Sequence, residues 1–443
     1  MASIPSQPAS AARTGSGSPA ASLLISLAPL PHDAFESTLS NLSQAFAGAT
    51  VLVATPDQPV GAADAFDQTM DGSTEDSAGY YFDQDWASRY NNLQLLTELP
   101  AVPPPSAWVL TAADFLNAYK LAQQHGASAC MLLGGESQSL TPEALRSLAA
   151  AVGGTGEGVI GEGGAPNGKG VDLAVPRYEF GPRDGLVNSA ILYPVTRAVY
   201  GARPRFPLAV DLGLSLRMAE RLAIAAQRFT ASGQNDAILW PVAEAAVAGY
   251  TIAEVNVGRR AIPQPATPDL NSLLARITSS LFSDVEARAA FWQRSRIAQS
   301  NARPTQPAGG SDGFADLDIQ PMLDSFRLAY TNLQEIWSLV LPPNSLLGLK
   351  RLATSPAETF RMPDALWVRI VCDFLLAFRL RTINRGHLLG ALTPLYLAWV
   401  ASHILYARSG VDPEYHVEEL AQAFEFDKPY LVSRWRWPDR FNP

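Results

Sequence analysis

Three short, uncharged and mostly apolar runs constrain this chain most: SLLISL at 22–27, TVLVA at 50–54 and SACMLL at 128–133. Runs of that length bounded by turn residues fit buried strands. Between the first two, Phe35, Leu39, Leu42 and Phe46 recur at helical spacing. Residues 112–125 read as a helix leading to the third run, and 141–151 as a helix leaving it. Thr141 is placed to cap that last helix, with Pro142 at its first position. Strand, helix, strand in this rhythm predicts a mostly parallel sheet flanked by helices. Residues 171–180 alternate like another strand, and 212–226 and 236–248 carry helical spacing.

The rhythm changes after residues 299–312, a segment rich in Pro and Gly. Beyond it, Leu323, Phe326, Tyr330, Leu333, Ile336 and Trp337 keep helical spacing, as do Leu366, Ile370, Phe374, Leu375 and Phe378. Those stripes predict helix core. The chain therefore divides into a disordered tail (1–20), an α/β unit (21–298), a linker (299–312) and an all-helical C-terminal domain (313–443). Residues 57–85 hold eight acids and no Lys or Arg, which predicts a long acidic surface loop. The run from Leu388 to Tyr406 approaches the length of a membrane span. It carries Pro394 and His403 among similar helices, so a buried core helix is the expectation and no membrane span is assigned.

The net charge, 33 − 42 = −9, argues against a general affinity for nucleic acid. Cys130 and Cys372 lie in apolar runs and read as buried thiols of a reducing compartment. No basic segment precedes an apolar leader, so a cytoplasmic location is expected. The five histidines show no ligand spacing, and the glycine-rich stretch 153–170 lacks the spacing of a phosphate loop.

Carboxylates at strand ends are the remaining candidates. Glu136 follows a strand in LLGGESQSL, and open parallel sheets bind ligands beyond the carboxyl ends of their strands. It could hold a divalent ion or a ribose hydroxyl, or cap the helix that begins near Thr141. Asp211, in PLAVDLGLS, reads as the junction of an apolar strand and a helix. Asp236, in SGQNDAILW, opens a predicted helix and could be its cap.

The order of these segments resembles one family. AADFLNAYKLAQQHGASACMLLGGESQSLTPEAL is similar to the stretch of GT-A-fold glycosyltransferases that leads to their metal-binding DxD. GLVNSAILYPVTRAVYGARPRFPLAVDLGLS and GQNDAILWPVAEAAVAGYTIAEVNVGRRA resemble later elements of bacterial relatives of mannosylglycerate and glucosyl-3-phosphoglycerate synthases. The helical tail resembles theirs too, so the likeness spans roughly residues 110–440. It implies a GT-A-like, nucleotide-diphospho-sugar transferase fold. A hexose would pass from a nucleotide sugar to a small hydroxyl acceptor, glycerate-type included. Asp211 would orient acceptor or sugar hydroxyls and Asp236 would sit beside the reacting centre. Glu136, Asn188, Arg197 and Asn235 would contact substrate.

The departures are specific. The two DxD aspartates fall on Gly134 and Glu136, and the family's histidine falls near Ala261-Ile262-Pro263. A hard divalent ion wants several oxygen ligands. Mg²⁺ or Mn²⁺ is thus expected to bind weakly, with Glu136 its one protein ligand. Arg177, Arg183, Arg197 or Arg259 could replace the metal's charge. The alternative reading is a catalytically degenerate homologue that serves as a binding or partner subunit. A homodimer is compatible with either.

Overall fold

The computed structural model describes residues 23–56, 89–99, 109–153, 170–182, 184–261, 270–295 and 313–438. The N-terminal tail, the acidic loop and the linker lie outside the described residues.

The first region is an α/β layer structure around a seven-stranded sheet of order β3-β2-β1-β4-β6-β5-β7. The strands are β1 (Leu23–Leu27), β2 (Val51–Pro56), β3 (Leu93–Leu99), β4 (Ala129–Leu133), β5 (Leu173–Glu179), β6 (Leu212–Ser215) and β7 (Ile252–Arg259). Only β6 runs against its neighbours. β1 and β4 are buried at every residue, which explains their uncharged, mostly apolar sequence. Helices α1 (His32–Ala45) and α3 (Pro142–Gly153) pack together, and α2 (Ala112–His125) packs with α5 (Leu216–Thr230). Thr141 caps α3 as expected, its hydroxyl accepting from the Ala144 amide at 3.2 Å.

Two sequence assignments change. Residues 212–215 are strand, not helix. Helix α6 (Pro241–Ala248) starts five residues after Asp236, with Trp240 at its cap position, so Asp236 caps nothing.

The remaining helices are α4 (Tyr193–Tyr200), α7 (Leu270–Ala287), α8 (Ala289–Trp292), α9 (Gln320–Asn332), α10 (Gln334–Ser338), α11 (Pro343–Ala353), α12 (Asp364–Leu380), α13 (Arg385–Arg408) and α14 (Pro413–Arg436). From residue 313 onward every regular element among the described residues is a helix. One helix there, α13, is long and apolar enough to cross a membrane, and 89 % of its apolar window is buried inside the protein. It is a core helix. Both cysteines are free and buried.

The helical region is not a separate body. One hydrophobic core runs from Leu23 to Trp435. A π-helical turn at Asn188–Leu192 sits on the seam, where the Trp367 indole donates to the Ala190 carbonyl at 2.8 Å. Arg205 of the sheet region grips Glu414 of α14 through two bonds of 3.0 Å.

Behind this seam, His403 and His416 face each other, Nδ1 to Nδ1 at 2.7 Å. His416 reaches Asp364 at 3.1 Å. Burial, then His416 and Arg205, pulls the His403 pKa from 6.5 to about 3. A histidine held neutral in the fold but free to charge in the unfolded chain favours unfolding as pH falls from 6.5 towards 3. Asp373 works the other way. Burial raises its pKa from 3.8 to about 6, so its contribution is lost as pH rises through that window. The histidine's own share is isolated by substitution: between neutral pH and pH about 4, His403→Gln should lose less stability than the parent in urea unfolding. An unchanged slope in His403→Gln would remove His403 as the cause.

Candidate functional site

The chain leaves β1 towards β2 and β3, then returns to place β4 on the other side of β1. That reversal is a topological switch point, and it opens a crevice beyond the carboxyl ends of β1 and β4. The GGE turn, Gly134-Gly135-Glu136, lies there. So does Asp211, for an unexpected reason. It precedes β6 rather than ending a strand. Because β6 is reversed, its start faces the end of β4, with Leu212 opposite Leu132.

Glu136 adopts φ 60° and ψ 25°, the left-handed region. Among the described residues only Arg381 shares that departure without being glycine. Such a conformation costs about 1–2 kcal/mol and persists where surroundings impose it. Here three donors hold the Glu136 carbonyl: the Ser139 amide at 3.0 Å, the Ser139 hydroxyl at 2.8 Å and Arg260 Nη1 at 2.5 Å. The Glu136 carboxylate accepts from Gln138 at 2.6 Å, forms no salt bridge among the described residues and stays partly exposed. It does not cap the following helix, since Thr141 does.

Arg260 is the hub of the turn, and it is 3 % exposed. Its Nε and Nη2 meet Asp211 at 2.9 and 3.2 Å. Nη2 also donates to the Gly135 carbonyl at 2.6 Å, and Nη1 to Ser139 Oγ at 3.0 Å and the Ala261 carbonyl at 2.9 Å. Every guanidinium N–H is therefore engaged. Burial pulls the Arg260 pKa down, but Asp211, with Tyr178 and Glu136 adding to it, makes the net shift upward. Asp211 is wholly buried. It also accepts from the Gly134 amide at 3.1 Å and the Tyr178 hydroxyl at 2.9 Å. Burial, and then Asp211, raises the Tyr178 pKa well above its ordinary value.

This changes the expected role of Asp211. A buried carboxylate with both oxygens occupied has no lone pair to offer a sugar hydroxyl. Asp211 anchors the turn instead. Nor can Arg260 neutralise a leaving diphosphate, since its donors are spent.

Gly134 has its own reason to lack a side chain. A Cβ there would lie 2.7 Å from Val210 Cβ and 3.0 Å from the Val210 carbonyl. Close approach of Val210 leaves no room for a side chain at this position. Gly134→Ala should cost about 1–3 kcal/mol in urea unfolding. A variant as stable as the parent would show that the approach relaxes freely.

The other predicted residues lie elsewhere. Asp236 and Asn235 sit on the loop after α5, at the same sheet edge. The Asn235 carbonyl accepts from the Ala113 amide at 3.1 Å, which ties the loop to the start of α2. Asp236 is exposed and pairs with Arg276 at 3.3 Å, sharing no partner with Glu136 or Asp211 among the described residues. Asn188 and Arg197 are engaged inside the protein. Asn188 is buried and donates to the Arg205 carbonyl at 2.7 Å. Arg197 is buried in the seam, bridging Glu418 and Glu425 of α14. Neither is open to substrate. No cluster of three or more His, Cys, Asp and Glu that could hold a metal exists among the described residues.

Arg260 was missed because strand parity points to the wrong arginine. Ala253, Val255 and Val257 face inward, so simple alternation would bury Arg259. A bulge intervenes. Arg177 pairs with Asn256 but Tyr178 pairs with Gly258, whose φ is +69°. One extra residue swaps the faces, and Arg260 turns in. The Gly258-Arg259-Arg260 sequence was the available signal.

No family model matches the chain, and no curated protein matches it. A solved structure titled "Crystal Structure of a Mycobacterial Protein" is similar at 15 % identity, covering 66 % of this chain and 81 % of that one, with a TM-score of 0.34.

Proposed function

We propose that this chain is a cytoplasmic, GT-A-like glycosyltransferase homologue that binds a nucleotide sugar in the crevice beyond β1 and β4, without a divalent metal. The observation that carries the reading is the GGE turn. A strained glutamate stands at the switch point of an open sheet, its backbone fixed by a buried ion pair and its carboxylate in no salt bridge among the described residues. Strain clusters at binding sites because a functional constraint has to be held against it. That carboxylate suits a ribose or sugar hydroxyl. Transfer of a hexose to a small hydroxyl acceptor, with Asp236 at the rim, follows from the sequence likeness.

A second reading rests on the saturation of Asp211 and Arg260. With neither free, the protein would bind the nucleotide sugar and serve as a partner subunit.

A thermal-shift panel of UDP-, GDP- and ADP-sugars, with and without Mg²⁺, tests the shared claim. A true ligand stabilises by about 2.7 kcal/mol at a hundred times its dissociation constant. One nucleotide class should raise the melting temperature equally with and without metal. No shift with any of them would sink both readings. A transfer assay with the stabilising sugar and glycerate-type acceptors then separates them.

A further inference from the structure

The chain carries a net charge of −9, yet three of its segments hold no Asp or Glu: 287–295, 374–390 and 428–438. The fold brings these segments to one end of the helical region, where α12 and α14 finish. The Arg379 guanidinium lies 4.3 Å from the centre of the Trp435 ring and donates to the Trp435 carbonyl at 2.6 Å. Arg436 reaches Gln293, Nε to Oε1 at 3.1 Å. Arg385, at the start of α13, lies 3.8 Å over the Phe378 ring. Arg294, Arg381 and Arg436 are exposed at this end, and Arg379 and Arg385 are half-buried. Glu286, bound to Arg385 at 3.0 Å, is the one acid paired with any of these five among the described residues. Two large apolar side chains stand between the cations. Leu380, next to Arg379, is 45 % exposed, and Trp437, next to Arg436, is 58 % exposed.

The backbone gives an independent sign. Arg381 closes α12 at φ 54° and ψ 38°, the left-handed region that favours glycine. Its side chain makes no hydrogen bond or ion pair among the described residues. Strain that serves no contact within the fold points to a contact outside it. Arginines in the last turn of a helix also face the helix dipole. That accounts for Arg379 and Arg436. It does not account for the backbone of Arg381, nor for exposed Leu380 and Trp437.

We propose that this end of the helical region docks on an anionic membrane surface, its arginines on the lipid phosphates and Leu380 and Trp437 entering the boundary beneath them. Cations flanking exposed Leu and Trp are the composition that binds a charged lipid interface. A nucleic acid would use the arginines and stack on Trp437, but has no place for Leu380. The protein would lie on the surface and not cross it, because α13, the one described helix apolar enough to span, is a core helix.

Co-sedimentation of the full chain with vesicles tests this. Vesicles of equal parts phosphatidylcholine and phosphatidylglycerol are set against phosphatidylcholine alone, with duplex DNA and glycerol phosphate as competitors. The chain should pellet with the anionic vesicles only, and added salt should release it. Arg381→Gly should weaken binding about fivefold, the worth of one arginine beside an anionic surface, with no loss of stability in urea unfolding. An arginine with a merely structural role would show the opposite pattern. Trp437→Ser should weaken binding by a similar factor, and Arg381→Glu combined with Arg436→Glu should abolish it. Equal binding to phosphatidylcholine alone would overturn the anionic assignment. Displacement by DNA would overturn the membrane in favour of a nucleic acid, and displacement by glycerol phosphate would reduce the surface to a site for soluble phosphate. No vesicle binding, or binding indifferent to these variants, would overturn the surface itself.

Discussion

Arg260→Ala should lower stability by about 3–5 kcal/mol, because it strands a carboxylate that has no access to water. Asp211 is wholly buried, and Arg260 is the cation that meets it. The same substitution frees the Gly135 and Glu136 carbonyls, so the left-handed turn loses one of its restraints. Arg260→Lys should rescue little. An ammonium is a point charge and cannot span two carboxylate oxygens and three carbonyls in one plane. Urea unfolding gives the magnitude, and a cycle with Asp211→Leu gives the coupling. The double variant should be more stable than the sum of the two singles by more than about 2 kcal/mol. Additive losses would show that the ion pair is not what holds the turn.

Arg197→Ala should cost a similar amount, about 3–5 kcal/mol, in the seam between α4 and α14. The Arg197 side chain is 3 % exposed, and its partner Glu425 is 5 % exposed. Glu418, at 15 %, shares the same guanidinium. Removing the arginine leaves two carboxylates in a seam with too few cations. Because these bonds join α4 to α14, the loss should appear in the unfolding of the whole chain as one transition. Arg197→Met with Glu418→Gln and Glu425→Gln should recover most of it, since a packed neutral seam avoids the desolvation cost. A single Arg197→Ala variant within about 1 kcal/mol of the parent would show that the seam is wet and the bridge peripheral.

These two arginines mark where sequence reasoning reached and where it stopped. The strands β1, β2 and β4 were legible because they are buried, so their residues are uncharged and mostly apolar. β3 was not, because LQLLTEL at the sheet edge mixes polar and apolar residues without a clean period. β6 was absorbed into the helix that follows it, since four residues are too few to display a period of two. Glu136 and Asp211 do lie at one edge, Asp211 because β6 is reversed and not because a strand ends there, and the role of Asp211 depends on a partner 49 positions away. That partner is set by a bulge, and a bulge leaves only a glycine as its trace. Arg197 fails for a related reason. Its acids lie 221 and 228 positions along the chain, and nothing local announces them. The segment order that suggested a glycosyltransferase says where a residue falls along the chain, not whether its oxygens are already taken.

The most direct test of the proposed metal-independent binding is titration calorimetry of the nucleotide sugar that stabilises the protein into the full chain, once with chelator and once with Mn²⁺, repeated on Glu136→Ala. The account predicts a dissociation constant that changes less than about twofold between chelator and Mn²⁺, because one protein carboxylate does not define a divalent site. It predicts that Glu136→Ala weakens binding equally in both conditions, as the loss of a hydroxyl contact requires. Tight, stoichiometric Mn²⁺ binding that Glu136→Ala abolishes would contradict it, and would mean that the GGE turn still holds a metal.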